Sequence, residues 1–471
     1  KWSLQAEAAL LQPGHSRAIN QTGSNGGVIY IDDFEGSATG IGLFYNPTQW
    51  LLASAPLKDF ENPAFRGVNS KNDLYTSANR ALLSWYRIDD YARTSNQGND
   101  PYSRIVQESD IFPNRQRPIG YFGEVTFDLT YYPREKGPYN YDIPSGIKDS
   151  LGNFMTAGIN DKYQLNSPET RWGGIMSKLN TNDFEANNVE YIDFWVLNPF
   201  MSKFDNSPIS KSGKLILQLG NFSEDIFKDG YQQFENGLPT SNLNLPISTT
   251  NFGRISRKPP ITGNFDNDNR SAQDIGFDGL NSINTNVANG ELSYFSSYVD
   301  KLRGFVASNI LDSIAKDPSN DDYLSYRSSK LDNEPSIIKK YKRYNMPEGN
   351  AQLDPGNNIS TAYTNTPDQE DVNNDKSLNE IESYYNYPID IVNDNNQINI
   401  ASAKFITETI NPVSNPKETW YHFRIPINQY KDSVGQISDF RSIQSMRLLL
   451  TGFDEEVTFR MGAGDRVKKK K

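Results

Sequence analysis

The chain has 471 residues, a formal net charge of −11, 36% hydrophobic residues and 22% charged ones. With no Cys and only two His, it excludes thiolate zinc sites, disulfide frameworks, redox dithiols, cysteine nucleophiles and any three-histidine metal site. The acidic balance argues against nucleic acid as a partner, since a phosphate-binding surface needs clustered Lys and Arg. The 25 Phe, 26 Tyr and 6 Trp supply the apolar bulk of a packed core.

In chain order, residues 1–26 read as a connector; the opening KWSLQAEAALL is too short and too polar to span a membrane. Strands are predicted at Gly27–Asp33, Leu83–Ile88 and Gly120–Tyr132. In the last, Val125, Phe127 and Leu129 share one face and Thr126, Asp128 and Thr130 the other, the period of two of a half-buried strand. The pairs Gly26-Gly27 and Gly173-Gly174 lack the surroundings of a phosphate loop and read as turns. Strands are predicted again at Val189–Asn198 and Gly213–Leu219. A short helix is expected within Phe222–Phe234, capped by Ser223 with Glu224 and Asp225 in its first turn.

From Ile255 to Pro388 the chain becomes dense in Asn, Asp and Ser. Leu302, Phe305, Val306, Ile310 and Leu311 fall at helical spacing there, closed by Asp317-Pro318. Strand patterns return at Gln397–Thr409, Thr419–Ile427, Ile443–Phe453 and Val457–Met461. The pattern predicts a mainly β fold: a β-sandwich or jelly-roll-like core built from residues 27–254 and 389–461. A partly helical insertion, 255–388, interrupts it. A flexible basic tail, 462–471, follows, because like-charge runs such as Lys468–Lys471 stay solvated.

The most specific local motif spans Asp371 to Glu382. On a 12-residue calcium loop, Asp371, Asn373, Asp375, Ser377, Asn379 and Glu382 occupy the oxygen-donor positions, Glu382 as the bidentate closing ligand. Lys376 stands where Gly normally makes the sharp turn, a substitution costing about 1 kcal/mol. A helix is expected to continue through Glu382, Tyr384 and Tyr385. The cation would be structural calcium. A second acidic cluster, Asp32-Asp33-Phe34-Glu35-Gly36, follows a strand; strand neighbours point to opposite faces, so it reads as a capped turn, the alternative being a second metal site, and not as a bond-cleaving pair. His15, beside Pro13-Gly14, and His422, inside a strand, read as structural. Trp50, Trp85, Tyr86, Trp172, Trp195 and Trp420 sit in strand patterns and are predicted to pack the core, the alternative being an exposed sugar-stacking row.

Longer strings carry a resemblance. They are YIDDFEGS (30–37), IFPNR (111–115), YYPREKGPYNYD (131–142), RWGGIM (171–176), DFEANNVEYIDFWVLNPF (183–200) and LGNFSEDIFKDGYQQFENGLP (219–239). QDIGFDGL (273–280), DPSNDDY (317–323), YKRYNMPEGN (341–350) and EDVNNDKSLNEIE (370–382) continue the series. Together they resemble the SprA/Sov family, the giant outer-membrane β-barrel translocons of type IX secretion and gliding motility, from about Lys1 to Met461. After Met461, GAGDRVKKKK departs from the pattern and reads as an artificial or truncated end.

The resemblance implies a soluble insertion of the barrel, at the cell surface and extracellular more than periplasmic. It would be non-enzymatic, shaping or capping the pore and contacting other channel subunits, secreted cargo and the rest of its own barrel. The alternative is a cell-surface carbohydrate-binding β-sandwich. A glycosidase comes third, since it needs two carboxylates about 5–10 Å apart in a cleft and the sequence nominates none.

Overall fold

The computed structural model describes residues 41–42, 46–56, 73–94, 100–113, 123–238, 246–266, 270–282, 290–351 and 361–469. The predicted strand Gly27–Asp33, the cluster Asp32, Asp33 and Glu35, and His15 lie outside the described residues.

The strands are β1 (Ile41–Gly42), β2 (Leu51–Leu52), β3 (Ala81–Tyr86), β4 (Phe127–Lys136), β5 (Trp172–Lys178), β6 (Val189–Leu197), β7 (Ser212–Asn221), β8 (Ile247–Thr249) and β9 (Arg254–Ser256). After the insertion come β10 (Ser383–Asp394), β11 (Gln397–Ile398), β12 (Ile406–Ile410), β13 (Trp420–Pro426), β14 (Asp432–Val434), β15 (Ser445–Thr451) and β16 (Val457–Lys469). One seven-stranded sheet runs β12-β13-β6-β16-β4-β3, with β1 on β16. The other runs β11-β10-β7-β15-β5-β2, with β14 on β10. The pairings within both are antiparallel. In each sheet a strand from before the insertion is held between two from after it: β6 between β13 and β16, β7 between β10 and β15. The fold is therefore mainly β, as predicted.

Alternation explains the core. Leu129, Tyr131, Ile192, Phe194 and Val196 of the first sheet share one buried cluster with Ile175, Leu215, Leu217, Leu448 and Leu450 of the second. Gly173 and Gly174, expected in a turn, are instead the second and third residues of β5. A Cβ on Gly173 would come within 2.9 Å of Leu83 Cβ, and one on Gly174 would overlap Leu449 Cδ2. The glycines are thus demanded by the close approach of packed neighbours, not by a bend.

β10 also departs from expectation. It begins inside the predicted insertion, and takes as strand the residues expected to continue a helix after Glu382. Pro388 obscures it in the sequence, because Pro cannot donate to a ladder. In the structure Pro388 faces β7 on one side, and on the other falls between β14, paired at Tyr384–Asn386, and β11, paired at Asn393–Asp394.

The tail expected to be flexible from 462 continues as β16 through Lys469, its backbone pairing with β6 as far as Val189. The predicted helix within Phe222–Phe234 is an irregular segment instead. The helical pattern of 302–311 becomes two short helices, Ser296–Leu302 and Ser308–Ile314, separated where Gly304 adopts φ +79°.

Candidate functional site

The insertion has little regular ladder to absorb its peptide groups, and buried N–H donors must find other acceptors. Carboxylates take that role. Asp225, Asp317 and Asp371 share one local geometry: each accepts the N–H groups four and five residues ahead. The pairs are Asp229 and Gly230 (3.2 and 2.9 Å), Asp321 and Asp322 (2.9 and 3.4 Å), and Asp375 and Lys376 (3.0 and 2.9 Å). The residue three ahead turns left-handed each time: Lys228 at φ 58°, Asn320 at 58° and Asn374 at 61°.

In the third of these loops, Asn373 Oδ1 accepts from Asp375 N–H at 2.8 Å and Asp375 Oδ1 from Ser377 N–H at 2.8 Å. Further on, Asn379 Oδ1 accepts from Ile381 N–H at 3.0 Å. Lys376 has φ 61°, the turn its position requires, and its ammonium leaves the loop for the carbonyls of Pro260 and Ile261 at 3.2 and 2.9 Å. Asp371, Asn373 and Asp375 are thereby gathered into one turn, with Ser377 and Asn379 following along it.

Glu382 departs from the expected ligand set. Its two oxygens face the buried Arg447 guanidinium at 3.3 and 3.1 Å, and Lys228 Nζ lies 3.7 Å away. Arg447 comes from β15, so nothing in the loop's own spacing could reveal it.

Glu224, expected in a helical first turn, braces this loop. Its Oε1 accepts from Val372 and Asn373 N–H at 2.9 and 3.2 Å, and its Oε2 from Asn379 N–H at 3.1 Å. Burial pushes its carboxyl up to about 7 against those hydrogen bonds, and the charge of Asp371 adds to the rise. Glu370 and Glu235 do the same elsewhere. Glu370 accepts from Ile226 and Gln233 N–H at 2.6 and 2.9 Å, and Glu235 from Gly276 and Asp368 N–H at 3.0 and 2.8 Å.

The densest acid group was not nominated by the sequence reading, although three of its members lie in the strings QDIGFDGL, DPSNDDY and YKRYNMPEGN. Asp278, Glu291 and Asp321 are buried, and one oxygen from each lies within 4.8 Å of the other two. Glu348, also buried, faces them. Ser319 Oγ donates to Asp278 Oδ2 at 2.6 Å, Ser319 N–H to Glu291 Oε2 at 3.1 Å, and the Tyr139 hydroxyl to Asp321 Oδ2 at 2.7 Å. Burial and the neighbouring negative charges hold all three carboxyls well above their usual range, and Glu348 is pushed up to about 12 by the same causes. The group sits where the insertion meets the end of β4: Ser319 C=O accepts from Tyr139 N–H at 2.7 Å, and Asn320 Nδ2 donates to Lys136 C=O at 2.6 Å.

Elsewhere, His422 stands in β13 as predicted. Its Nε2 pairs with Asp193, its Nδ1 lies 3.0 Å from Thr407 Oγ1, and its ring stacks on Trp195 at 4.6 Å. Arg424 takes the second oxygen of Asp193 at 3.2 Å, so this line of polar groups is a cross-strand network over β12, β13 and β6. The predicted core aromatics Trp50, Trp85, Tyr86, Trp172, Trp195 and Trp420 are all buried, and no sugar-stacking row of Trp exists among the described residues.

Residues 297–470 match the family model SprA_N, a motility related/secretion protein. The match covers the second half of the insertion and every strand from β10 onward, and it continues past Met461, where the sequence pattern alone ended the likeness. No curated protein matches the chain.

Proposed function

The chain belongs to the SprA/Sov family of motility and secretion proteins, and from that we propose that it is a non-enzymatic module of an outer-membrane protein-export channel. It shapes or caps the pore on the outer side and contacts partner subunits or cargo. The match over residues 297–470 carries this reading. The structure supports it physically. An element that borders a pore must hold its shape, and here an irregular insertion is tied to the first sheet where Asn345 Oδ1 accepts from Trp85 N–H of β3, and to the second where Glu382 pairs with Arg447 of β15, instead of being left as free loop. Among the described residues no helix is long and apolar enough to cross a membrane. Calcium in the loop Asp371–Asn379 belongs to the proposal as a structural ion that stiffens the insertion; it performs no chemistry on a substrate.

The test is deletion of these residues from the full-length family protein that contains them. Cargo secretion and single-channel conductance are then measured with the barrel still assembled. Blocked secretion or an ungated pore is expected. Normal secretion through a channel of unchanged conductance would overturn the reading.

A further inference from the structure

We propose that Asp278, Glu291 and Asp321, with Glu348 beside them, form a second cation site, buried and separate from the loop at Asp371, that takes a calcium ion. Charge is the first argument. Among the described residues, no Lys or Arg nitrogen lies within 4.0 Å of any of these four carboxylates. Ionised carboxylates gathered in a protein interior without a counter-charge repel one another strongly and have lost their hydration. The cluster therefore holds either a cation or shared protons.

The unpartnered oxygens are the second argument, and they favour the cation. Glu291 and Asp321 are 0% exposed, and among the described residues no N–H or hydroxyl donor reaches Glu291 Oε1 or Asp321 Oδ1, while the Glu348 carboxyl stands within hydrogen-bonding reach of Glu291. Their other oxygens are fixed from behind, Glu291 Oε2 by Ser319 N–H and Asp321 Oδ2 by Tyr139. Asp278 is oriented by Ser319 Oγ and by Leu280 N–H at 2.9 Å. Donors that steer ligand carboxylates from the far side are the usual support of a metal site. Gly276 leaves room for this arrangement, since a Cβ there would collide with Asp321 Oδ2.

Donor chemistry selects the ion. Calcium takes six to eight hard oxygens at about 2.3–2.6 Å, so oxygens on opposite sides of it stand roughly 5 Å apart. The donor oxygens of Asp278, Glu291 and Asp321 all lie within 4.8 Å of one another, which fits around a single such ion. Its effect would be to cross-link three separate stretches, 273–282, 290–291 and 317–322, at the junction of the insertion with β4.

The experiment compares the 471-residue chain with Asp321→Asn, Glu291→Gln and Asp371→Asn. Each is stripped of metal, reloaded with calcium, gel-filtered into metal-free buffer and assayed for calcium by atomic emission. Asn at 321 can still accept from Tyr139, so the hydrogen bond survives while the charge is lost. Loss of one calcium equivalent in Asp321→Asn and in Glu291→Gln is the expected result; Asp371→Asn loses only the loop's own ion, so joining it to Asp321→Asn lowers the calcium content by one equivalent below that of Asp371→Asn alone. Equal calcium in Asp321→Asn and the parent chain, including none in either, overturns the site and leaves shared protons. Should the variants fail to fold, crystals of the parent chain grown with terbium decide the matter. An anomalous peak between the three carboxylates supports the site, and its absence overturns it.

Discussion

Glu382 shows how a single residue can satisfy a motif and yet serve another partner. Spacing assigned it to a cation, whereas its side chain is 1% exposed and paired with Arg447, whose side chain is 0% exposed. Removing one partner of a buried ion pair strands the other charge and costs about 3–5 kcal/mol. Glu382→Gln keeps shape and one acceptor but leaves Arg447 and Lys228 without their shared anion. A loss of about 3 kcal/mol in urea unfolding is expected for the metal-free chain. Asp375→Asn, at an exposed position, should cost less than about 0.5 kcal/mol. Equal effects of the two substitutions would mean that the Arg447 pair is not a structural contact. The turn built by Asp371, Asn373 and Asp375 was legible because its hydrogen bonds act within a dozen residues; Arg447 arrives from 65 residues on. Asp278, Glu291, Asp321 and Glu348 were hidden for the same reason. Each is an ordinary acid in its own stretch, and only the tertiary fold brings them together.

At the scale of elements, alternating strands such as β4 and β6 were readable because one face is apolar and periodicity survives any change of partner. The misread elements are those whose residues answer to a neighbour. β5 carries Gly173-Gly174 because Leu83, Tyr131 and Leu449 press against it. β10 tolerates Pro388 where, among the described residues, its outer edge has no partner strand. The segment after Phe222 has every sign of a helix start, but Glu224 is drawn to the N–H groups of Val372, Asn373 and Asn379.

That brace makes the Asp371 loop a preformed turn, so a cation there would pay little ordering entropy. Calcium is expected to raise the melting temperature over that in EGTA, and Asp371→Ala to make the rise smaller by a few degrees. Equal rises in the two chains, read by calorimetry, would remove calcium from this loop while leaving the deeper cluster untested by that result.

The whole molecule couples these acids to pH. Burial raises Glu224 and Asp368 to about 7, and Asp229, Asp274 and Asp322 to about 6. As pH climbs from about 4.5, the unfolded chain gives up these protons first, while the folded chain retains them until its own higher values are passed. The folded state therefore binds more protons over that window, and its stability falls as pH rises through it. Lys136 acts in the opposite sense at higher pH: burial lowers it to about 7, so its contribution to stability grows from there toward its ordinary range. The metal-free chain should thus lose melting temperature between pH 5 and 7 and go on losing it above, more slowly as Lys136 opposes the fall, because Glu348, held to about 12, and the other deeply buried carboxyls keep protons that the unfolded chain has given up. A bound cation favours the ionised carboxylates, so saturating calcium should flatten the fall, with protons released on binding. Melting curves at pH 5, 6, 7 and 8, with and without calcium, check both halves. A metal-free melting temperature that is flat or rising from pH 5 to 7 would show that these acids are not held neutral by burial. A fall that calcium leaves unchanged would separate the acids from any cation. Because β6 and β7 each lie between strands from the far side of the insertion, loosening the insertion would be felt in both sheets, and the transition is expected to be one cooperative step.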